Sequence, residues 1–169
     1  MSRGFVKEDD QEEIPMISPR AYLPEGVNNY VTQTGIDKLL AEREKLLEEK
    51  ESLTTNNENE KRIAINHINA RLHLLNARID TAMVIIPDEQ SVDEVMFGAT
   101  VTINRTGTNS SRSFRIVGVD EADIANGKIS FISPIAQALM NKRVGEKVIL
   151  NQAGREIEFE ILKISYLQD

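Results

Sequence analysis

The chain has no cysteine and no tryptophan, and aromatic residues make up only 5% of it. Without cysteine there is no disulfide framework and no thiolate metal site, which fits a reducing, cytoplasmic setting. Scarce large rings suit a partly elongated molecule with a modest core. The two histidines, His67 and His73, stand six residues apart, whereas a zinc pair on one helical face needs a spacing of three or four. No apolar run approaches the ~20 residues that cross a bilayer. The N-terminus is acidic where a secretory signal would be basic and then apolar, so no membrane partner is expected. Gly-x-Ser-x-Gly, His-Glu-x-x-His and the glycine signatures of nucleotide-binding loops are all missing. No catalytic residues of its own and no stably bound metal are expected.

What remains is 169 residues with 28% charged side chains and a net charge of −7, enough for one ordinary domain or two small ones. The negative charge argues against binding nucleic acid through the whole surface, and leaves room for local basic stripes. Three zones follow along the chain. Residues 1–30 hold three of the five prolines and the acidic run "EDDQEE", with no sustained hydrophobic period. Such a segment buries too little apolar area to offset its ordering entropy, so a disordered or loosely docked tail is expected. The alternative is an arm that orders on a partner through Ile14, Met16, Ile17, Tyr22 and Leu23.

In residues 31–86 the pattern becomes heptad. Leu39, Leu46 and Leu53 recur at seven, widened by Ile36, Leu40 and Leu47, with Thr34 as the expected N-cap. The series Ile65, Ile68, Leu72, Leu75, Ile79 and Ala82 then follows a strict a/d spacing. Between the two stretches lies the polar loop "LTTNNENEKR", residues 53–62. Helices joined by so short a loop fold as an antiparallel coiled-coil hairpin, which predicts a monomer. A self-associating coiled coil, a dimerisation scaffold, is the alternative.

From residue 91 to 169 the period drops to two. Strands are expected at 97–103, 113–119, 128–132, 146–150 and 156–167, with turns at Gly107, Asn126-Gly127, Gly145 and Gly154. Ser133 and Pro134 open one helix as N-cap and first residue. The fold class is therefore α+β: a helical hairpin, then a small antiparallel sheet with one packed helix. The acidic stretch "DEAD" at 120–123 reads as a solvated turn. The carboxylates at the hairpin tip, Glu58 and Glu60, are oxygen ligands of the kind that could assist a magnesium ion held by another protein, or they simply solvate the loop.

The blocks "FGATVTI", "SFRIVGVDEAD", "ISFISPIAQALMNKRVGEKV" and "GREIEFEILKISY" closely resemble the C-terminal part of the bacterial Gre transcript cleavage factors. The hairpin in front of them resembles that family's second part, and residues 1–30 have no counterpart. The resemblance implies docking on RNA polymerase at the rim of its secondary channel, with the region around Ser130, Ser133 and Pro134 as the docking element. Ile132 stands where members of the family carry an acidic residue. The resemblance also implies that the tip enters the channel and that two tip acids help hold the polymerase's magnesium, so that the polymerase cleaves backtracked RNA. The protein would need no cofactor of its own. At the tip the family pattern Gly-Asp-x-x-Glu-Asn-Ala-Glu meets "NNENE". Glu58-Asn59 lies on the Glu-Asn pair, Thr55 stands where the pattern has aspartate, and the first helix is shorter.

Two outcomes stay open, transcript cleavage or occupation of the channel without it. Lys45, Lys50, Lys61, Arg62, Arg71 and Arg78 are candidates for touching the nascent RNA, or are solvated ion-pair partners on the helices. In overall shape the C-terminal zone also resembles peptidyl-prolyl isomerase (FKBP-like) domains. A peptide-binding role would need an aromatic pocket, and Phe97, Phe114, Phe131, Phe159 and Tyr166 are the local rings, most of them at core-facing positions.

Overall fold

Thr32 opens the first helix. Its backbone is extended and its hydroxyl accepts the Gly35 N–H at 3.0 Å, relieving one of the unpaired donors at a helix start. The computed structural model describes residues 14–87 and 93–166, and in it the cap of α1 (Gln33–Glu51) lies two residues before Thr34, the cap expected from sequence. Thr32 takes the role because Glu121, far along the chain, accepts from both its hydroxyl and its backbone N–H. The acidic run at 8–13 lies outside the described residues.

α1 has 19 residues and projects about 28 Å. α2 (Glu58–Asp80) returns beside it. Leu39 and Leu46 pack on Ile68, Leu72 and Leu75, with Ile36, Leu53 and Ile79 at the margins, so the seam follows the heptads. Leu47 stays 39% exposed, which makes the real stripe narrower than the apolar pattern. Ala82 is not a seam position. α2 stops at Asp80, before Pro87 is reached, and Ala82 begins β2 (Ala82–Val84), which pairs in parallel with β1 (Asn29–Val31). Buried Asn29 donates to the Arg78 carbonyl at 2.9 Å, tying this small sheet to the end of α2.

The C-terminal strands are β3 (Ala99–Arg105), β4 (Ser111–Val117), β5 (Lys128–Ser130), β6 (Lys147–Gln152) and β7 (Arg155–Tyr166), in spatial order β5-β4-β3-β7-β6. All neighbours are antiparallel except β4 and β5. Two short 3₁₀ turns, Val119–Glu121 and Ile124–Asn126, carry the chain back to beside Arg115 in the middle of β4, so β5 enters as a parallel edge strand. In β7 the register slips between the partners of Thr102 and Ile103, Lys163 and Ile161. The extra residue, Leu162, is 45% exposed, and its insertion lets Ile161 and Ile164 both face the core. α3 (Pro134–Leu139) is capped by Ser133 with Pro134 at the first position, and sends Ala136 and Leu139 inward.

The hairpin and the sheet domain share packing. Tyr30 of β1 lies against Phe97 and Phe131 with ring centroids 5.9 and 5.5 Å away, and those two rings are 5.7 Å apart. Leu23 and Ile85 join the same core. The expected loose tail is therefore fastened to the rest of the molecule from at least Arg20 onward.

Candidate functional site

Three places carry the chemistry expected from sequence, or chemistry that it hid: the hairpin tip, the face beside α3, and the base of the hairpin.

At the tip, the two carboxylates do not sit on the loop. Asn57 caps α2, accepting the N–H groups of Asn59 and Glu60 at 3.0 and 3.3 Å, so Glu58 and Glu60 fall in the first helical turn. Carboxylates there face the positive end of the helix dipole, which gives them a local structural reason to exist. Two residues apart on a helix means about 200° of rotation, so the pair diverges and does not converge on one ion. Glu60 also accepts the Thr55 hydroxyl at 3.2 Å. Glu58 is exposed and holds no such bond among the described residues. Beside the tip Leu53, Ile63, Ala64 and Ile68 line a shallow apolar groove with Glu49 and Glu60 at its rim.

The basic candidates divide. Arg71 faces Glu49 across the hairpin at 3.8 Å, and Arg62 donates to Asn59 at 2.9 Å. Arg78 is committed to the base of the hairpin. Lys45, Lys50 and Lys61 carry no ion pair among the described residues.

In the C-terminal domain, Ser133 spends its hydroxyl on the Ala136 N–H as a helix cap, while Ser130 accepts from Ile132 N–H, both at 3.3 Å. Pro134 is exposed beside them. Ile135, one residue on, lines a cleft of about 210 Å³ with Phe114, Ile157 and Phe159, and Arg105 and Arg112 stand at its edge. The five rings thus split: Phe97 and Phe131 are core, Phe114 and Phe159 are half-buried cleft walls, and Tyr166 donates to the Glu94 carbonyl at 2.6 Å. Burial raises the Tyr166 phenol above its usual range.

The base of the hairpin holds what the sequence concealed. In "DEAD" only the last two positions, Ala122 and Asp123, are exposed, and even there Asp123 accepts the Asn126 side-chain amide at 2.6 Å. The Asp120 side chain is only 7% exposed, with Arg20 Nε at 3.0 Å on one oxygen and Arg78 Nε at 2.8 Å from the other. The Arg78 contact lies off the hydrogen-bonding line, so it is Coulombic. Arg20 forks onto Glu42 of α1 as well, at 3.0 and 3.2 Å. Burial alone would lower the Arg20 pKa. The Glu42 hydrogen bond and the Asp120 charge outweigh it and hold the guanidinium above its ordinary value. Glu121 is equally committed, accepting from Thr32 N–H and Gly118 N–H, each at 3.1 Å, and from the Thr32 hydroxyl. Apart from Gly118, these partners lie far away in sequence, so no local pattern announces them. The one available signal is that Gly35 and Gly118 are the two positions where an added Cβ would meet this junction at under 3 Å.

An intrachain helical hairpin seated on a curled five-stranded sheet, with no group of three metal-binding side chains among the described residues, is the architecture to compare with known proteins. Residues 89–166 match the family model for the GreA/GreB transcription elongation factor C-terminal domain. The likeness to the GreA/GreB factors rests on that domain. The GreB factor of Neisseria meningitidis is 40% identical over 102 residues, which cover 60% of this chain and 62% of that protein. The GreA factor of Thermodesulfovibrio yellowstonii is 39% identical over 99 residues, covering 59% and 63%. The matches thus span less than two thirds of the length of these relatives. A solved GreA/GreB factor from Nitrosomonas europaea aligns at 19% identity and a TM-score of 0.43, over 81% of this chain and 98% of that one.

Proposed function

We propose that this protein regulates transcription elongation by docking its C-terminal domain on RNA polymerase and extending the short hairpin into or over the secondary channel, without presenting a two-carboxylate metal clamp. The observation that carries this reading is the divergence of Glu58 and Glu60 in the first turn of α2. A pair of tip acids can steady the polymerase's magnesium only if both oxygens reach the same ion. Here the geometry fits one ligand, and reactive geometry tolerates errors of only about an ångström. The protein contributes no nuclease of its own. Any RNA cleavage would be the polymerase's, with the polymerase's magnesium.

Docking is supported by the cleft beside Pro134. Half-buried Phe114, Ile135 and Phe159 supply an apolar floor, and Arg105 and Arg112 a cationic edge. This fits an apolar protein surface with acidic flanks. Lys45, Lys50 and Lys61 are the hairpin cations left to meet nascent RNA. The seam is filled within one chain, so the protein acts as a monomer, which a sizing measurement checks. Among the described residues no helix is long and apolar enough to cross a membrane.

A second reading rests on Glu58 alone, which is free of hydrogen bonds and matches the family's Glu-Asn position. The test uses a stalled, backtracked elongation complex with labelled RNA and magnesium. Intact RNA, with binding shown in the same sample, is the expected result. Shortened RNA that disappears in Glu58→Ala but persists in Glu60→Ala would install the single-ligand mechanism instead. Loss of binding in Arg112→Glu is the expected result for the cleft; unchanged binding would move the docking surface elsewhere.

A further inference from the structure

The contacts at the base of the hairpin differ in leverage. Thr32, Tyr30 and Arg78 all lie at or near the level where the two helices meet the sheet domain. Contacts at a pivot resist sliding, but they resist tilting weakly because their lever arm is short. Glu42 is different. It stands nine residues along α1, about 14 Å from the helix start. Arg20, coming from neither the hairpin nor the sheet, bonds Glu42 with two nitrogens and Asp120 with the third. Its neighbours keep it there. Ser18, Pro19 and Ala21 border a cavity shared with Arg71 and Leu74 of α2 and with Val119 and Asp120 of the sheet domain. The Ala21 carbonyl accepts from Arg78, and Leu23 enters the C-terminal core.

We infer that the segment around Arg20 is a diagonal brace, a strut from the sheet domain to the side of the finger that fixes the angle at which the hairpin projects. The arm is outside the blocks that resemble the Gre factors, although its anchor Asp120 lies within one, and the brace does not depend on which partner the C-terminal domain meets. Asp120 is nearly closed off from water and Arg20 is 20% exposed, so the strut is screened less by salt than a surface pair would be. Because the finger is about 28 Å long, a tilt of roughly 20° would carry its tip about 10 Å. Loss of one brace contact is therefore amplified at the tip.

The absence of cysteine makes the test clean. Spin labels at Thr54→Cys, beside the tip, and Asn151→Cys, on β6, report the angle as a distance distribution in the full chain. One narrow distance is expected for the parent. Arg20→Ala should broaden it about twofold or more, and Glu42→Gln should broaden it less, because a population of tilted states becomes accessible. Arg71→Ala, which removes an ion pair wholly within the hairpin, should leave it narrow. A distribution that stays narrow in folded Arg20→Ala and Glu42→Gln overturns the brace. So does equal broadening in Arg71→Ala, which would locate the motion inside the hairpin itself.

Discussion

The two ends of the hairpin each carry a pair of acidic residues close together in sequence, and the pairs live in opposite surroundings. At the tip, Glu58 and Glu60 stand in water on one helical turn, one of them tied to a threonine and the other to nothing among the described residues. At the base, Asp120 and Glu121 are enclosed by two arginines, two backbone N–H groups and a hydroxyl drawn from four different segments. Carboxylates of the same kind therefore do different work. Those at the tip can be given up at little cost to the fold. Those at the base join the hairpin to the sheet domain. Exposure decides the energetics, since an ion pair in water is worth little while an abandoned charge in a closed site is costly.

The largest effect should follow from Asp120→Ala, which takes the carboxylate from Arg78 and leaves Arg20 with Glu42 alone. Breaking a fully buried pair costs 3–5 kcal/mol, and the partial exposure of these arginines puts the expectation near 3 kcal/mol in urea denaturation. A loss below about 1 kcal/mol would mean that water reaches the base as freely as the tip, and the contrast would fail.

Gly35→Ala sharpens the same contrast through geometry. A Cβ at Gly35 would lie 2.3 Å from the Glu121 carboxyl carbon, so Glu121 must leave its donors on Thr32 and Gly118. Losing hydrogen bonds to a charged group there should cost about 1.5–3 kcal/mol, partly offset by alanine's better helix propensity of about 1 kcal/mol. In a Glu121→Ala background the obstruction is gone, and the same Gly35→Ala change should become neutral or stabilising. A cost that is the same in both backgrounds would show that Glu121 is not what the glycine accommodates.

How far all this was legible in the sequence depends on how far apart the interacting residues lie. The seam residues Leu39, Leu46, Ile68, Leu72 and Leu75 and the cap Ser133-Pro134 were readable, because helix periodicity and capping are local. The strand positions were readable within a few residues, while the bulge at Leu162 was not read and emerges only from the pairing of β7 with β3. The pairing of β1 with β2 was not, since two three-residue strands some fifty positions apart leave no period. The base was hidden for the same reason. Asp120 and Glu121 look like a hydrophilic turn until residues 89 and 100 positions upstream are placed beside them. At the tip the residues were found, but their relation was not. Asn57 captures the backbone of Glu60 and draws both glutamates into the helix, which fixes their directions in a way that composition alone does not.

The smallest effect belongs to the tip. Glu58→Gln with Glu60→Gln keeps the size and hydrogen-bonding reach of both side chains and removes only charge. What is lost is their attraction to the positive end of α2, about 0.5 kcal/mol at low salt for exposed groups. That attraction acts through water, so at 1 M salt, where screening acts within about 3 Å, the parent and the variant should unfold at the same urea concentration. The cost of Asp120→Ala should largely survive the same salt, because its partners are partly closed off from the ions that screen them. If salt instead leaves the tip difference intact, the tip glutamates hold a specific bond, and Glu58 would then no longer be free for a ligand outside the chain.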